Sequence, residues 1–204
     1  LLTESQQKIA LFDFDNTLIK GDSLWPFLIL TAGYKKTLKV LFKGMIEHIH
    51  KTPKALLFNR DHIRTYIKTY LLHNLLSGKS PDDIRTAVIQ LEKWQKWNEE
   101  VRNALTEHYA QGHHIVIASG GLNLYLPYLL RDVPHHALLC TEIEIEKDII
   151  TGNIIFGNCV RENKADKIRD YMQANGPFLD SWGYGNYPDD VPMLQLVKHR
   201  IIIS

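Results

Sequence analysis

Apolar and polar positions fall into two textures along the chain. The stretch IALFDFDNTL, Ile9 to Leu18, begins as an unbroken apolar run and ends in two carboxylates one residue apart. A short continuous apolar run of this kind predicts a buried strand over Ile9–Phe14. From Asp22 to about Ala104 the period changes to three and four. In LFNRDHIRTYIKTYLLHNLL the apolar positions Ile63, Tyr66, Ile67, Tyr70 and Leu71 share one helical face. Ser80 is placed to cap a following helix, with Pro81 at its first position and acidic residues in its first turn. Gly78 can close the helix before it. No β-rich run interrupts this block.

After Leu105 the strand texture returns. HHIVIASGG predicts a strand from His114 to Ala118 meeting a glycine turn, and LNLYLPYLL a helix. HALLCTEIEIE is strand-like, and KDIITGNIIFG predicts a hairpin around Thr151-Gly152-Asn153. NKADKIRDYMQAN predicts a helix ending near Gly176. FLDSWGYG predicts a strand entering a glycine-rich turn, DDVPMLQLVKH a helix, and RIIIS a last strand. Strands alternating with helices predict an α/β fold with a doubly wound, mainly parallel sheet. Residues 1–20 and 105–204 form the α/β part, and 21–104 an all-helical insert after the first strand.

Composition narrows this picture. A chain of 204 residues holds one large domain, or one domain with an insert. A net charge of +1 offers no case for nucleic acid as a partner. Two cysteines, Cys140 and Cys159, make no disulfide framework, so a reducing cytoplasm is the expectation. The chain starts at Leu1 rather than Met, which points to a few residues missing from its start, and no signal-peptide pattern precedes the first strand. The longest apolar run, LWPFLILTAGY, is too short to span a bilayer. Lys35, Lys36, Lys39 and Lys43 follow it. The favoured reading is a core-facing helix with a wet basic face; contact with lipid headgroups is the sharper alternative.

In such a sheet, ligands bind at the carboxyl ends of the strands. Four of those ends carry suitable chemistry: Asp13 and Asp15; Ser119, Gly120 and Gly121; Lys164 at a helix start; and Asn186, Asp189 and Asp190. Acids, a hydroxyl, exposed amides and an ammonium suit a phosphate, a hard cation and a carboxylate nucleophile. Asp13 and Asp15, two apart in an extended segment, project to one side and repel each other, while Phe14 points into packing. A Mg²⁺ ion with octahedral oxygen coordination relieves that repulsion. One carboxylate can then attack phosphorus and the other carry a proton. Taken singly, Asp-x-Asp can be a strand-end turn, Ser119-Gly120-Gly121 a plain turn, and Lys164 part of a solvated face with Lys167.

The ordered pieces DFDNT, IVIASGG, NKADKI and GYGNYPDD resemble the haloacid dehalogenase superfamily of hydrolases. They cover about 120 residues, and the helical insert matches the position of a cap domain. The ASGG turn and TGNIIFGNCVRENKADKI resemble the phosphoserine phosphatase-like branch. The resemblance implies a Mg²⁺-dependent phosphatase. Asp13 would be the nucleophile, forming an aspartyl-phosphate, and Asp15 the general acid and then base, its carbonyl facing the metal. Thr17 would hold the loop. Ser119, Gly120 and Gly121 would bind phosphoryl oxygens, aided by a helix starting just after Gly121. Lys164 would balance charge between phosphate and Asp13. The metal set would be Asp13, Asp15, Asn186 and Asp190.

Two departures from the family pattern bear on function. Asn186 stands where the family usually places an Asp, so a ligand charge is missing; Asp189 is the lesser substitute. Asp22 stands where phosphoserine phosphatases carry a Glu that meets the substrate amine. Arg60 and Arg64 are candidates for a substrate carboxylate, while Trp94, Trp97, Tyr66 and Tyr70 read as core. The pairs His48/His50, His113/His114 and His135/His136 lack recognised zinc spacing. The leading reading is hydrolysis of a small phosphorylated metabolite, phosphoserine-like substrates included. The alternatives are a lipid-phosphate phosphatase of phosphatidylglycerophosphatase type, motivated by Leu24–Lys43, and a catalytically weak phosphate-binding protein, motivated by Asn186.

Overall fold

The computed structural model describes residues 8–203. The chain divides into two compact units. The first comprises 1–23, 94–141 and 157–204; the second comprises 24–93 and 142–156.

The first unit is built on parallel strands. β1 (Lys8–Phe12) pairs with β2 (His114–Leu122) on one side and β5 (Asp180–Asn186) on the other. The first half of β3 (Ala137–Glu146) adds to β2, and β6 (His199–Ile203) adds to β5. Ile9 to Phe12 are all fully buried, as expected of a strand with both faces covered. Ile9, Leu11, Val116 and Ala118 pack with Ile168, Met193, Leu194 and Val197. Each such buried Ile, Leu, Val or Met side chain contributes about 1.5–3 kcal/mol.

The helices of this unit are α5 (Glu99–Ala110), α6 (Leu126–Leu129), α7 (Arg161–Asn175) and α8 (Val191–Leu194). α7 ends at Gly176, as its pattern predicts. The helices expected in LNLYLPYLL and DDVPMLQLVKH shrink to four residues each, α6 and α8, with Pro127 and Pro192 in their first turns. No helix begins just after Gly121. β2 continues to Leu122, because its edge there still pairs with β3 at Thr141.

The second unit holds α1 (Leu24–Ala32), α2 (Tyr34–Lys51), α3 (Arg60–Leu76) and α4 (Pro81–Trp94, its last residue lying in the first unit). Asn59 caps α3 by accepting the Asp61 and His62 amides. Ser80 caps α4 reciprocally: its Oγ accepts the Asp83 amide, and Asp83 accepts the Ser80 amide. Gly33, with φ +83°, separates α1 from α2, so the long apolar run is broken rather than one helix. α1 buries only Phe27 and Leu28.

This unit is not purely helical, and its bounds differ from the expected insert of 21–104. The second half of β3 pairs antiparallel with β4 (Ile149–Ile155). The hairpin turn lies at Lys147-Asp148, both in the left-handed region, and not at Thr151-Gly152-Asn153. Gly152 serves another purpose: a Cβ there would meet the His73 Cα at 2.6 Å, so glycine permits the close approach of α3 to β4. At the other boundary α5, partly assigned to the insert by pattern, lies in the first unit, where Val101 and Leu105 are buried.

Candidate active site

Register sets the site. Phe12 pairs with Ile117 of β2 and Tyr184 of β5. Asp13 therefore leaves β1 at the level where β2 goes on to Ser119 and β5 to Asn186. β1 ends at Phe12, so Asp13 and Asp15 sit on a turn rather than in a continuing strand. Asn16, with φ +59°, reverses the chain, and its amide donates to the Gly21 carbonyl at 3.0 Å. Phe14 turns into the core and meets Trp97 edge-on at 6.3 Å.

At the centre lies Lys164, carried by the first turn of α7 and 4% exposed. Its Nζ donates to Asp13 Oδ1 and to Asp190 Oδ1, each at 2.6 Å. Asp190 Oδ2 accepts the Asn186 amide at 2.9 Å, so both of its oxygens are committed. Gly185 makes room for this: a Cβ there would lie 2.7 Å from the Asp190 Cβ. Asn186 Nδ2 donates to the Asp15 main-chain carbonyl at 3.3 Å. Asp189 turns aside, its Oδ1 accepting Arg161 Nε at 3.0 Å and Nη2 at 2.7 Å.

Asp15 is held separately. Its Oδ1 accepts the Ser23 amide at 2.8 Å, and Ser23 Oγ shares a hydrogen bond of 2.9 Å with the fully buried Tyr125 hydroxyl. Pattern alone did not single out Ser23 or Tyr125. The one hint is that a serine follows Asp22 and a tyrosine follows the glycine turn. Ser119 Oγ accepts the Gly121 amide at 2.9 Å, which leaves its own proton to donate elsewhere. A Cβ at Gly121 would lie 2.9 Å from Leu126 Cδ1 and 3.0 Å from the Tyr125 hydroxyl. The Gly120 carbonyl accepts from Thr141. Thr17 is fully buried beside Asp13. Its hydroxyl makes no hydrogen bond of normal geometry, yet its dipole favours the Asp13 carboxylate.

The site is short of positive charge. Burial pushes Asp13 up to about 6; Lys164 opposes that and Asp190 adds to it. Burial also pushes Asp15 up to about 7, with Asp22 and Asp13 contributing. For Lys164, burial acts against the charged form, but Asp13 and Asp190 outweigh it and raise its pKa. One ammonium thus faces several carboxylates, and a hard cation would offset the excess.

The donor chemistry fits Mg²⁺: Asp13, the Asp15 carbonyl and the Asn186 carboxamide are oxygen donors, few enough to leave water positions. Asp190, already doubly bonded, is placed to orient rather than ligate. Among the described residues no three His, Cys, Asp or Glu side chains converge as a metal-holding group. A cation bound here would therefore need the carbonyl and carboxamide as well as the acids.

Most of the other candidates have contacts of their own. Arg60 and Arg64 are exposed on α3 of the second unit. Tyr66 and Tyr70 stack on one another there at 6.2 Å, and Tyr70 donates to Glu47. Trp97 packs under Arg102 at 4.9 Å. His48 bonds to Thr52, His113 to His108, His114 to Tyr171, and His136 accepts the Ile115 amide.

The sequence profile described as haloacid dehalogenase-like hydrolase matches residues 10–195. The chain belongs to the haloacid dehalogenase-like hydrolase family. A histidinol-phosphatase of Neisseria meningitidis serogroup C (strain 8013) is 20% identical, covering 97% of this chain and 90% of that protein. Among solved structures, a protein of unknown function from Bordetella pertussis Tohama I superposes with a TM-score of 0.76 at 19% identity, over 97% of this chain and 90% of that one. A substrate-bound phosphoserine phosphatase superposes with a TM-score of 0.65 at 14% identity, over 97% and 86%. At these identities the structural likeness establishes the fold, and it is the α/β fold that the alternating pattern predicts.

Proposed function

We propose that this hydrolase cleaves phosphomonoesters of small metabolites, with Asp13 as nucleophile and Asp15 as proton carrier. One observation carries the reading: Asp13 is buried at a strand end with one oxygen held by Lys164. A carboxylate so fixed is pre-oriented for attack. An Asp13 oxygen bonds to phosphorus as the ester P–O bond breaks. Asp15, raised to about 7 and so able to hold a proton near neutrality, gives it to the leaving alkoxide. Water then attacks the aspartyl-phosphate, Asp15 takes the water's proton, and inorganic phosphate leaves. Ser119 and the glycine amides would hold the phosphoryl oxygens, and Lys164 would offset their charge. Mg²⁺, held by Asp13, the Asp15 carbonyl and Asn186, would supply further charge neutralisation on the phosphoryl group.

In this reading the second unit serves as the cap, and Asp22, next to Ser23, helps choose the leaving group. The names of the phosphatase relatives support a small phosphorylated substrate. Cys140 and Cys159 form no disulfide, which supports a reducing compartment such as the cytoplasm.

The test is phosphate release from p-nitrophenyl phosphate with Mg²⁺ or with chelator, for the wild type and Asp13→Asn. The expected result is Mg²⁺-dependent turnover that falls to the blank in the variant. Equal rates in the two proteins, across a panel that includes phosphoserine and histidinol phosphate, would sink the proposal. They would favour a phosphate-binding protein weakened by Asn186, and Asn186→Asp would then be the next variant.

A further inference from the structure

The exposed side of α2 gathers several apolar side chains on one helical face. Thr37, Gly44 and His48 face inward, toward α1 and α3. On the opposite side Phe42, Met45, Ile46 and Ile49 follow the spacing of one helical stripe, and that stripe faces solvent. Phe42 and Ile49 are each 61% exposed and Ile46 57%. Phe58, on the segment that follows, is 86% exposed. An exposed apolar stripe along one helix, unlike singly scattered surface leucines, marks an interaction surface.

Its flank indicates the partner. Lys36, Lys39 and Lys43 follow one another at intervals of three and four along the edge of the stripe. α2 carries five lysines against one glutamate, a net of +4, in a chain whose total is +1. That glutamate, Glu47, is already bonded to Lys51 and Tyr70. Among the described residues Lys36 and Lys39 have no acidic partner. An apolar stripe edged by unneutralised lysines is the composition of a helix that lies in a bilayer interface. Its side chains enter the acyl boundary, and the ammonium groups reach anionic headgroups. No described helix is long and apolar enough to cross a membrane, so the contact is peripheral.

We propose that this face of α2 docks the protein reversibly on anionic lipid bilayers. The apolar stripe supplies insertion, and the lysine row selects negative surfaces.

The test is co-sedimentation of the whole chain with vesicles of phosphatidylcholine alone, or with an equal part of phosphatidylglycerol. The expected result is sedimentation with the anionic vesicles only, reversed by raised salt. Lys39→Glu/Lys43→Glu should lower the bound fraction by about tenfold or more. Phe42→Ser/Ile46→Ser should abolish binding at every salt concentration. All four positions are exposed, so circular dichroism spectra should match the wild type.

No sedimentation with either vesicle, or sedimentation indifferent to both double variants, would overturn the proposal. So would self-association, seen by analytical ultracentrifugation and removed by Phe42→Ser/Ile46→Ser without vesicle binding. That result would give the face to a second copy. The readout is partition rather than turnover, so the hydrolytic reading stands or falls separately.

Discussion

At the carboxyl ends of the parallel strands, Asp13 and Asp190 share one ammonium from Lys164, and Asp15 is buried within the field of Asp13 without a cation of its own among these contacts. Toward the amino ends of the same sheet, titratable side chains are also buried, but as neutral groups that satisfy one another. His108 and His113 share a hydrogen bond of 2.7 Å between their Nδ1 atoms, and His108 Nε2 meets the Tyr184 hydroxyl at 3.0 Å. His113 stacks on Trp182, and Trp182 on His199. Both regions bury polarity. Only the first leaves charge in excess, which is a cost that folding alone does not need. The contrast separates a region arranged for packing from one arranged to receive a ligand.

The two regions should respond to pH with opposite sign. Asp13 and Asp15 have folded pKa values raised to about 6 and about 7. Their stabilising contribution is full below the unfolded carboxylate value of about 4 and is lost as pH rises through 6 and 7. Burial lowers His108 to about 4, with His113 adding to the effect. Its contribution is full above the unfolded value of about 6.5 and is lost as pH falls toward 4. Over this shared window two acids outnumber one histidine, so Tm for the protein without added metal should fall as pH rises from about 4 to 7, with His108 offsetting part of the fall.

Variants sharpen the comparison. The largest effect is expected from Lys164→Met, which strands two buried carboxylates. It should cost about 3–5 kcal/mol at neutral pH, read by urea denaturation, with the loss shrinking in acid as the acids protonate. Next, Asp15→Asn removes a buried charge while keeping shape. It should raise Tm at pH 7.5 and flatten the fall of Tm between about pH 4 and 7, while phosphate release is lost. A lowered Tm would show that the site carries no charge excess.

His108→Leu should cost about 1–3 kcal/mol, because His113 and Tyr184 each lose a partner. It should also steepen the fall of Tm as pH rises from about 4 to 6.5, since the opposing histidine contribution is gone. The smallest effect is expected from Thr17→Val, within about 0.5 kcal/mol, since the hydroxyl it removes has no hydrogen bond to lose. Unchanged Tm with reduced kcat would place that hydroxyl against substrate rather than in packing.

Much of this was readable from pattern. The strands Ile9–Phe12 and Ile115–Ala118 are apolar runs because both sheet faces are covered. α3, α4 and α7 carry period, caps and stops within their own residues. The misreadings share a cause. Thr151-Gly152-Asn153 has turn composition, but the glycine answers to His73, and the turn falls to Lys147-Asp148 without a signal. In the site, Asp13, Asp15, Lys164 and Asp190 stand out locally as acids and a base at element ends. Ser23 and Tyr125, 102 residues apart, meet only in the folded chain. The commitment of Asp189 to Arg161 is likewise tertiary.

The ion pair at the centre also sets when the protein can begin to work. Asp13 and Lys164 are 151 residues apart, and Asp190 lies a further 26 on. β1 sits between β2 and β5, so a strand made early waits for one made much later in the chain. A nascent chain halted before Asp190 has Asp13 but no finished setting for it. Turnover by such a chain should be absent until α7, β5 and Asp190 have emerged, which makes catalysis itself a reporter of synthesis through that point.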